Sequence, residues 1–260
     1  MDKGITDEFE GDGIVAFVDL LGFRNEIYDN WDRKIDNPLD RIKELYKFVN
    51  DFLRDPDGQT FLEKDESTLI DKANYGKTLS ISDSFTIMIP YDKGNDLGFL
   101  LSLLSVCGSI LSLKRKCIEL GFVLRGAISY GELFWAESTV VGKPFIDVYL
   151  LETKHARNAR IILSNELSNK VYETLSRIDH KITEYFKHFF DLDHDNYTII
   201  NPVIAYGYNY PQNCKDAAEE VKKIQADSPE KVRSKYDDLI NRLTNVTGAL
   251  QDFEKFKKNN

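Results

Sequence analysis

Apolar and polar positions fall into three kinds of stretch along this chain. One is a continuous apolar run, Gly13-Ile14-Val15-Ala16-Phe17-Val18, which ends in Asp19 and passes into Leu20-Leu21-Gly22-Phe23. A run rich in Val, Ile and Phe and bounded by Gly predicts a buried strand. Gly22 then permits a sharp turn. A second kind alternates. Leu79 to Pro90 alternates on both sides of Ser82-Asp83-Ser84, which predicts two strands joined by a tight polar turn. Phe122 to Ile128 and Glu132 to Trp135 are expected to form another hairpin, turning at Tyr130-Gly131. The third kind recurs at helical spacing. Arg24 to Trp31 starts a helix, and Asn37-Pro38 reads as the cap and first-turn proline of the next, through Leu39, Ile42, Leu45, Val49 and Phe52 to Arg54. Helices are also expected at Asp96 to Leu120, Phe145 to Asn158 and Asn165 to Ser176, and strands at Arg160 to Ser164 and Asn196 to Ile204. Residues 59–76 are polar and unperiodic and read as a loop. Lys215 to Lys258 is charged with sparse apolar residues, giving two more helices.

Hairpins interleaved with helices predict an α+β fold: an antiparallel sheet with helices on one face, nearest to the ferredoxin-like split βαβ unit. The expected division is a main domain over 1–210 and a C-terminal helical extension over 211–260. The run from Gly98 to Leu113 is uncharged but shorter than the ~18 residues of a membrane span. It carries Ser102, Ser105, Ser109 and Ser112, so a helix packed on the sheet is expected.

Composition narrows the function classes. A net charge of −9 argues against sequence-independent binding to nucleic acid or an anionic membrane. Cys107, Cys117 and Cys214 are widely spaced, without metal spacing, and suggest a reducing cytoplasm. Met1 to Asp12 is acidic and lacks the apolar segment of a signal peptide.

Asp19 falls at the end of a buried strand and Asp83 at a hairpin tip. Each has two readings. Asp19 caps the following helix or is a cation ligand, and Asp83 is an ordinary turn residue or a second ligand. If the first strand lies beside the hairpin, the two carboxylates meet. With a backbone carbonyl such as that of Leu20 they make a hard oxygen site suited to Mg²⁺ or Mn²⁺. Free amides around Gly22-Phe23-Arg24 could cradle phosphate. An aspartyl-phosphate phosphatase would need Asp at position 21, which is Leu. His188 and His194 lie near Asp191, Asp193 and Asp195, and this segment reads as a solvated acidic loop.

Four stretches in order resemble the class III nucleotidyl cyclases. Phe17-Val18-Asp19-Leu20-Leu21-Gly22-Phe23 is similar to that family's F-x-D-I-x-G-F motif. Ser82-Asp83 stands where the family has Gly-Asp. Leu124 to Gly131 resembles its R-x-G-I-x-x-G strand and turn. Val141-Gly142 to Glu152 resembles its G-x-x-V-N-x-A helix, followed by the strand Arg160 to Ser164. The resemblance implies a cyclase catalytic domain, a homodimer with composite sites, and two divalent ions held by Asp19, Leu20 and Asp83. The reaction implied is attack of a ribose 3′-oxygen on the α-phosphate with release of pyrophosphate. The departures matter. The purine-reading Lys position is Leu79, its partner position is Thr139, the helix Asn is Asp147, and the transition-state Arg is Leu151. The resemblance therefore leans toward the pyrimidine cyclases of bacterial antiphage systems, with UTP or CTP as substrate and uracil preferred. It implies a cytoplasmic chain with no membrane span, whose cyclic nucleotide is read by a separate effector. The missing cation must come from elsewhere, with Arg157, Arg160, Lys154 and Arg24 as candidates. Arg125 is expected to hold the strand pair. A cyclase-like module that binds nucleotide without catalysis is the alternative.

Overall fold

The structure is a computed structural model that describes residues 8–35, 37–52, 77–136, 139–179, 183, 186, 188–206 and 211–246. The polar stretch 59–76 and the end of the C-terminal segment lie outside these residues. The strands are β1 (Glu8–Leu21), β2 (Lys77–Ile81), β3 (Ser84–Pro90), β4 (Val123–Ala136), β5 (Thr139–Gly142), β6 (Ile161–Leu163), β7 (Phe190–Leu192) and β8 (Thr198–Ile200). The helices are α1 (Phe23–Asn30), α2 (Pro38–Phe52), α3 (Asp96–Glu119), α4 (Lys143–His155), α5 (Asn165–Leu175), α6 (Pro211–Asp227), α7 (Glu230–Arg233) and α8 (Asp237–Thr244).

The main sheet runs β2-β3-β1-β4-β6-β8-β7, with β5 paired to β4. Up to β4 the connectivity and order, β2-β3-β1-β4 with antiparallel neighbours throughout, are those of the ferredoxin-like unit. The β4–β6 pair is parallel, so the sheet is mixed. Side chains alternate across β1. Ile14, Ala16, Val18 and Leu20 join the core under α2, α3 and α5, whereas Val15 and Phe17 face α4 through Val148 and Phe145. The helices thus lie mainly on one face, as expected, while α4 covers part of the other.

By length and composition α3 could cross a membrane. Here Phe99, Leu103, Val106, Ile110 and Leu113 fill the core instead. Its serines donate to backbone, Ser102 to Pro90 O at 2.9 Å and Ser105 to Leu101 O at 2.9 Å. The helices after residue 211 pack on the end of the sheet where β1 finishes and β4 begins, joining Leu21, Val123, Ile118 and Ala159 to Val221, Tyr236, Leu239 and Leu243.

Two expectations need correction. There is no turn at Tyr130-Gly131. β4 continues through it to Ala136, paired residue by residue with β1, including Gly13 opposite Gly131, and β5 pairs back along the end of β4. Gly131 takes a φ of 145 and stays within the strand. The late strand is also shorter than expected. Only Thr198–Ile200 is extended, because Pro202 opens a 3₁₀ turn, and β7 precedes it as a partner.

Candidate active site

β1 ends in a backbone that the next turn must reverse. Gly22 adopts φ 85, in the left-handed region, and caps α1, its carbonyl accepting from Asn25 N at 3.0 Å. Across the sheet, Ser82-Asp83 forms the two-residue turn between β2 and β3, with Ser82 at φ 56. The Tyr46 hydroxyl on α2 donates to the Ser82 carbonyl. Leu20 N donates to the Asp83 carbonyl at 3.0 Å, which stitches the turn to the end of β1. Asp19 and Asp83 are thereby brought to the same end of the sheet.

Asp19 sits on the α4 face, its side chain 14% exposed. Ser84 Oγ donates to Asp19 Oδ1 at 3.1 Å, and Arg125, its cross-strand neighbour on β4, donates to Oδ2 from Nη2 at 2.9 Å. The same Arg125 nitrogen lies 3.0 Å from Oε1 of Glu152, a buried residue in the last turns of α4. Thr153 Oγ1 donates to the other Glu152 oxygen at 3.2 Å. Next to Arg125, Gly126 lets β4 lie close against β1, since a Cβ there would lie 2.5 Å from Phe17 O.

Burial pushes the Asp19 carboxyl up to about 6. The Arg125 hydrogen bond opposes that rise, and the charges of Asp83 and Glu152 add to it. Burial likewise raises Glu152, against Arg125 and with Asp83. Asp19 and Glu152 share the Arg125 guanidinium, and Asp83 is near enough to act on both through its charge, so negative charge gathers here beyond what Arg125 offsets and suits a cation with oxygen ligands. The donor set therefore fits the metal that the sequence suggests, with Asp19 and Asp83 as the residues that would hold it.

Leu20 turns its side chain into the core. Phe23 packs against Phe122, ring centroids 6.3 Å apart, so it anchors the turn to the core. Arg24 is exposed and lies over the Tyr28 ring. Leu79, on β2, pairs with Thr86 of β3 and packs with the α4-face cluster. Thr139 is exposed on β5. Asp147 lines a surface hollow with Ser129, Glu132, Lys143 and Glu166. Ser129 pairs with Val15, further along β4 from Arg125, so within one chain Asp147 stands away from Asp19.

The two candidate arginines differ. Arg157 is exposed, its Nε donating to Lys154 O at 3.1 Å. Arg160 is buried and committed. It pairs with Asp193 and with Asp195, and donates to His155 O at 2.9 Å. The loop holding Asp193 is therefore not simply solvated. Asp193 is buried and also meets Arg242 of α8 at 3.1 Å. Its burial alone would raise the carboxyl, but the Arg160 and His194 bonds hold it down to about 2. Asp193, His194 and Asp195 place one ligand atom each within 4.8 Å of the others. Arg160 and Arg242 engage these carboxylates as Arg125 engages Asp19, so the cluster is an ion-pair network whose ligand atoms are also placed to hold a cation.

Sequence reading missed Glu152 as a site residue. Its signal was present: Val148, Glu152 and Ala156 lie four apart on one helical stripe, and the other two are buried.

No family model matches this chain, and no curated protein matches it. Solved structures align over part of it. The guanylyl cyclase Cya2 is 12% identical, covering 63% of this chain and 79% of its own, with a TM-score of 0.42. A class III adenylyl cyclase-like ATP-binding protein from Pseudomonas aeruginosa is 9% identical over 71% of this chain and 42% of its own, TM-score 0.47. The guanylyl cyclase domain of the RhoGC fusion protein from Blastocladiella emersonii is 11% identical over 74% of this chain and 95% of its own, TM-score 0.45.

Proposed function

We propose that this chain is a divalent-cation-dependent nucleotidyl cyclase that converts UTP to 3′,5′-cyclic UMP and pyrophosphate, with CTP as the alternative substrate. The observation that carries this reading is the convergence of Asp19 and Asp83 beside the Gly22 turn, with the Leu20–Asp83 hydrogen bond fixing their relation. In the reaction the ribose 3′-oxygen bonds to the α-phosphorus, the bond to the bridging oxygen of pyrophosphate breaks, and the hydroxyl proton is lost. A bound Mg²⁺ or Mn²⁺ would supply charge stabilisation to the phosphates and lower the pKa of the 3′-hydroxyl. The chain's own contributions are positional. Ser84 and Arg125 orient Asp19, and Glu152 holds Arg125 from behind.

The pyrimidine preference rests on the resemblance to the antiphage pyrimidine cyclases and on the departures at the positions similar to the purine-reading ones. The position resembling the purine-reading lysine is Leu79, half-buried among apolar neighbours, with no group to read a purine. A homodimer is part of the reading, since Thr139 and Asp147 reach an Asp19 site only from a second copy. Val141, Ile146, Tyr149 and Leu150 expose an apolar surface on β5 and α4 beside them. In the cell we assign the enzyme to the cytoplasm, as the signal-generating part of a bacterial antiphage system whose product is read by a separate effector.

A second reading has its own observation. Leu151 packs in the apolar cluster of the α4 face and Arg160 is held in ion pairs, which favours a nucleotide-binding module without catalysis. Pyrophosphate release from UTP with Mn²⁺ separates the two. The cyclase reading requires release by the wild type and at least about a hundredfold less by Asp19→Asn and by Asp83→Asn, each folded. Equal rates in wild type and variants overturn the metal assignment.

A further inference from the structure

The segment after α7 reaches the candidate site. Ala159 N donates to the Lys235 carbonyl at 2.9 Å, pinning the Ser234–Tyr236 turn to the loop that carries Arg157. On its other side the Tyr236 hydroxyl lies 3.2 Å from where a Cβ on Gly22 would stand, so this turn also lies against Gly22. The loop is in turn joined to the Arg125 strand, because Gly126 N donates to Arg160 O at 3.0 Å. Lys235 is therefore fastened between the Gly22 turn and the beginning of β4, on either side of the row that holds Asp19 and Arg125.

Charge gives this placement a meaning. The Lys235 ammonium is partly buried and is opposed by the like charges of Arg125 and Arg157. Arg125 is occupied by Asp19 and Glu152. None of the ion pairs among the described residues involves Lys235 or Arg157. Two cations without acidic partners among the described residues, on the segments joined to the start of β4 beside the Asp19 row, call for an anion.

We propose that Lys235, carried on the C-terminal segment, binds the triphosphate tail of the substrate together with Arg157, and supplies from within the same chain the cation that position 151 lacks. The identity of the anion as a triphosphate rests on the nucleotide reading above. The Gly22 turn orders the phosphates next to Asp19, and Lys235 closes over them from the far side. The C-terminal helices are then a functional part of the site.

The test is titration calorimetry of the full chain with magnesium tripolyphosphate, a probe that needs no turnover. Lys235→Met keeps the packed aliphatic stem and removes the charge, and Lys235→Arg restores a cation. The expected result is binding by the wild type, weakened about tenfold or more in Lys235→Met and within about threefold of wild type in Lys235→Arg, at unchanged melting temperature. Wild-type affinity in Lys235→Met overturns the inference, as does failure of the wild type to bind the probe. If Lys235-dependent binding is found and the wild type forms no cyclic product, the cyclase reading fails while the anion site stands. If product forms and Lys235→Met binds normally, only the anion site fails.

Discussion

Removing one charge from the buried network around Arg160 has a calculable cost. Asp193 is held down to about 2 from an ordinary 3.8, which is on the order of 2–3 kcal/mol of stability. The sign follows from the depressed value. The folded chain binds this proton more weakly than the unfolded chain, so the contribution is present above pH 3.8 and is lost as the pH falls toward 2. Asp193→Asn keeps the shape and removes the charge. It leaves Arg160 with Asp195, and Arg242 with Asp191 and Asp238. Urea unfolding at pH 7 should show a loss of about 2–3 kcal/mol, or a melting temperature lower by roughly 5–10 °C for a chain of this size. Repeated at lower pH, the gap between variant and wild type should narrow below pH 4. A variant within 0.5 kcal/mol of wild type at pH 7, or a gap that widens on acidification, would refute the reasoning.

Three further outcomes follow. Gly126→Ala should destabilise by more than about 2 kcal/mol in chemical unfolding, because its Cβ would meet Phe17 O at 2.5 Å and the Val18 backbone at 2.9 Å. Gly22→Ala should cost about 1 kcal/mol for its left-handed backbone and should also weaken turnover, since the same turn flanks Asp19; an unchanged melting curve would count against the strain. Asp19→Asn should leave stability at pH 7.5 equal to wild type or higher, read by thermal melting, because burial already disfavours the charged carboxylate there.

The placement of Asp19 and Asp83 is legible in the sequence because strand ends and tight turns carry strong local signals. Asp19 and Asp83 needed only a buried run ending at Gly22 and an alternation broken by Ser82-Asp83. The Leu20–Asp83 bond that joins them is a consequence of β1 lying beside β3, which local pattern cannot give. The β4 hairpin was misplaced because Gly131 resembles a turn residue; only its pairing with Gly13 on a strand 118 positions away keeps the chain extended. Arg160 looked like a free cation because Asp193 and Asp195, its partners, come from the β7–β8 turn. Lys235 gave no signal at all. It is one of many lysines in a charged helical segment, and only the bond of Ala159 N to its carbonyl and the position of its neighbour Tyr236 against Gly22 place it beside the site.

Incubation of the purified chain with ATP, GTP, CTP and UTP together and Mn²⁺, read by mass spectrometry, tests the central claim most directly. The account predicts one cyclic pyrimidine monophosphate, cyclic UMP before cyclic CMP, absent with Asp19→Asn. Cyclic AMP or cyclic GMP would contradict the base assignment drawn from Leu79, and the absence of any cyclic product would contradict the cyclase itself.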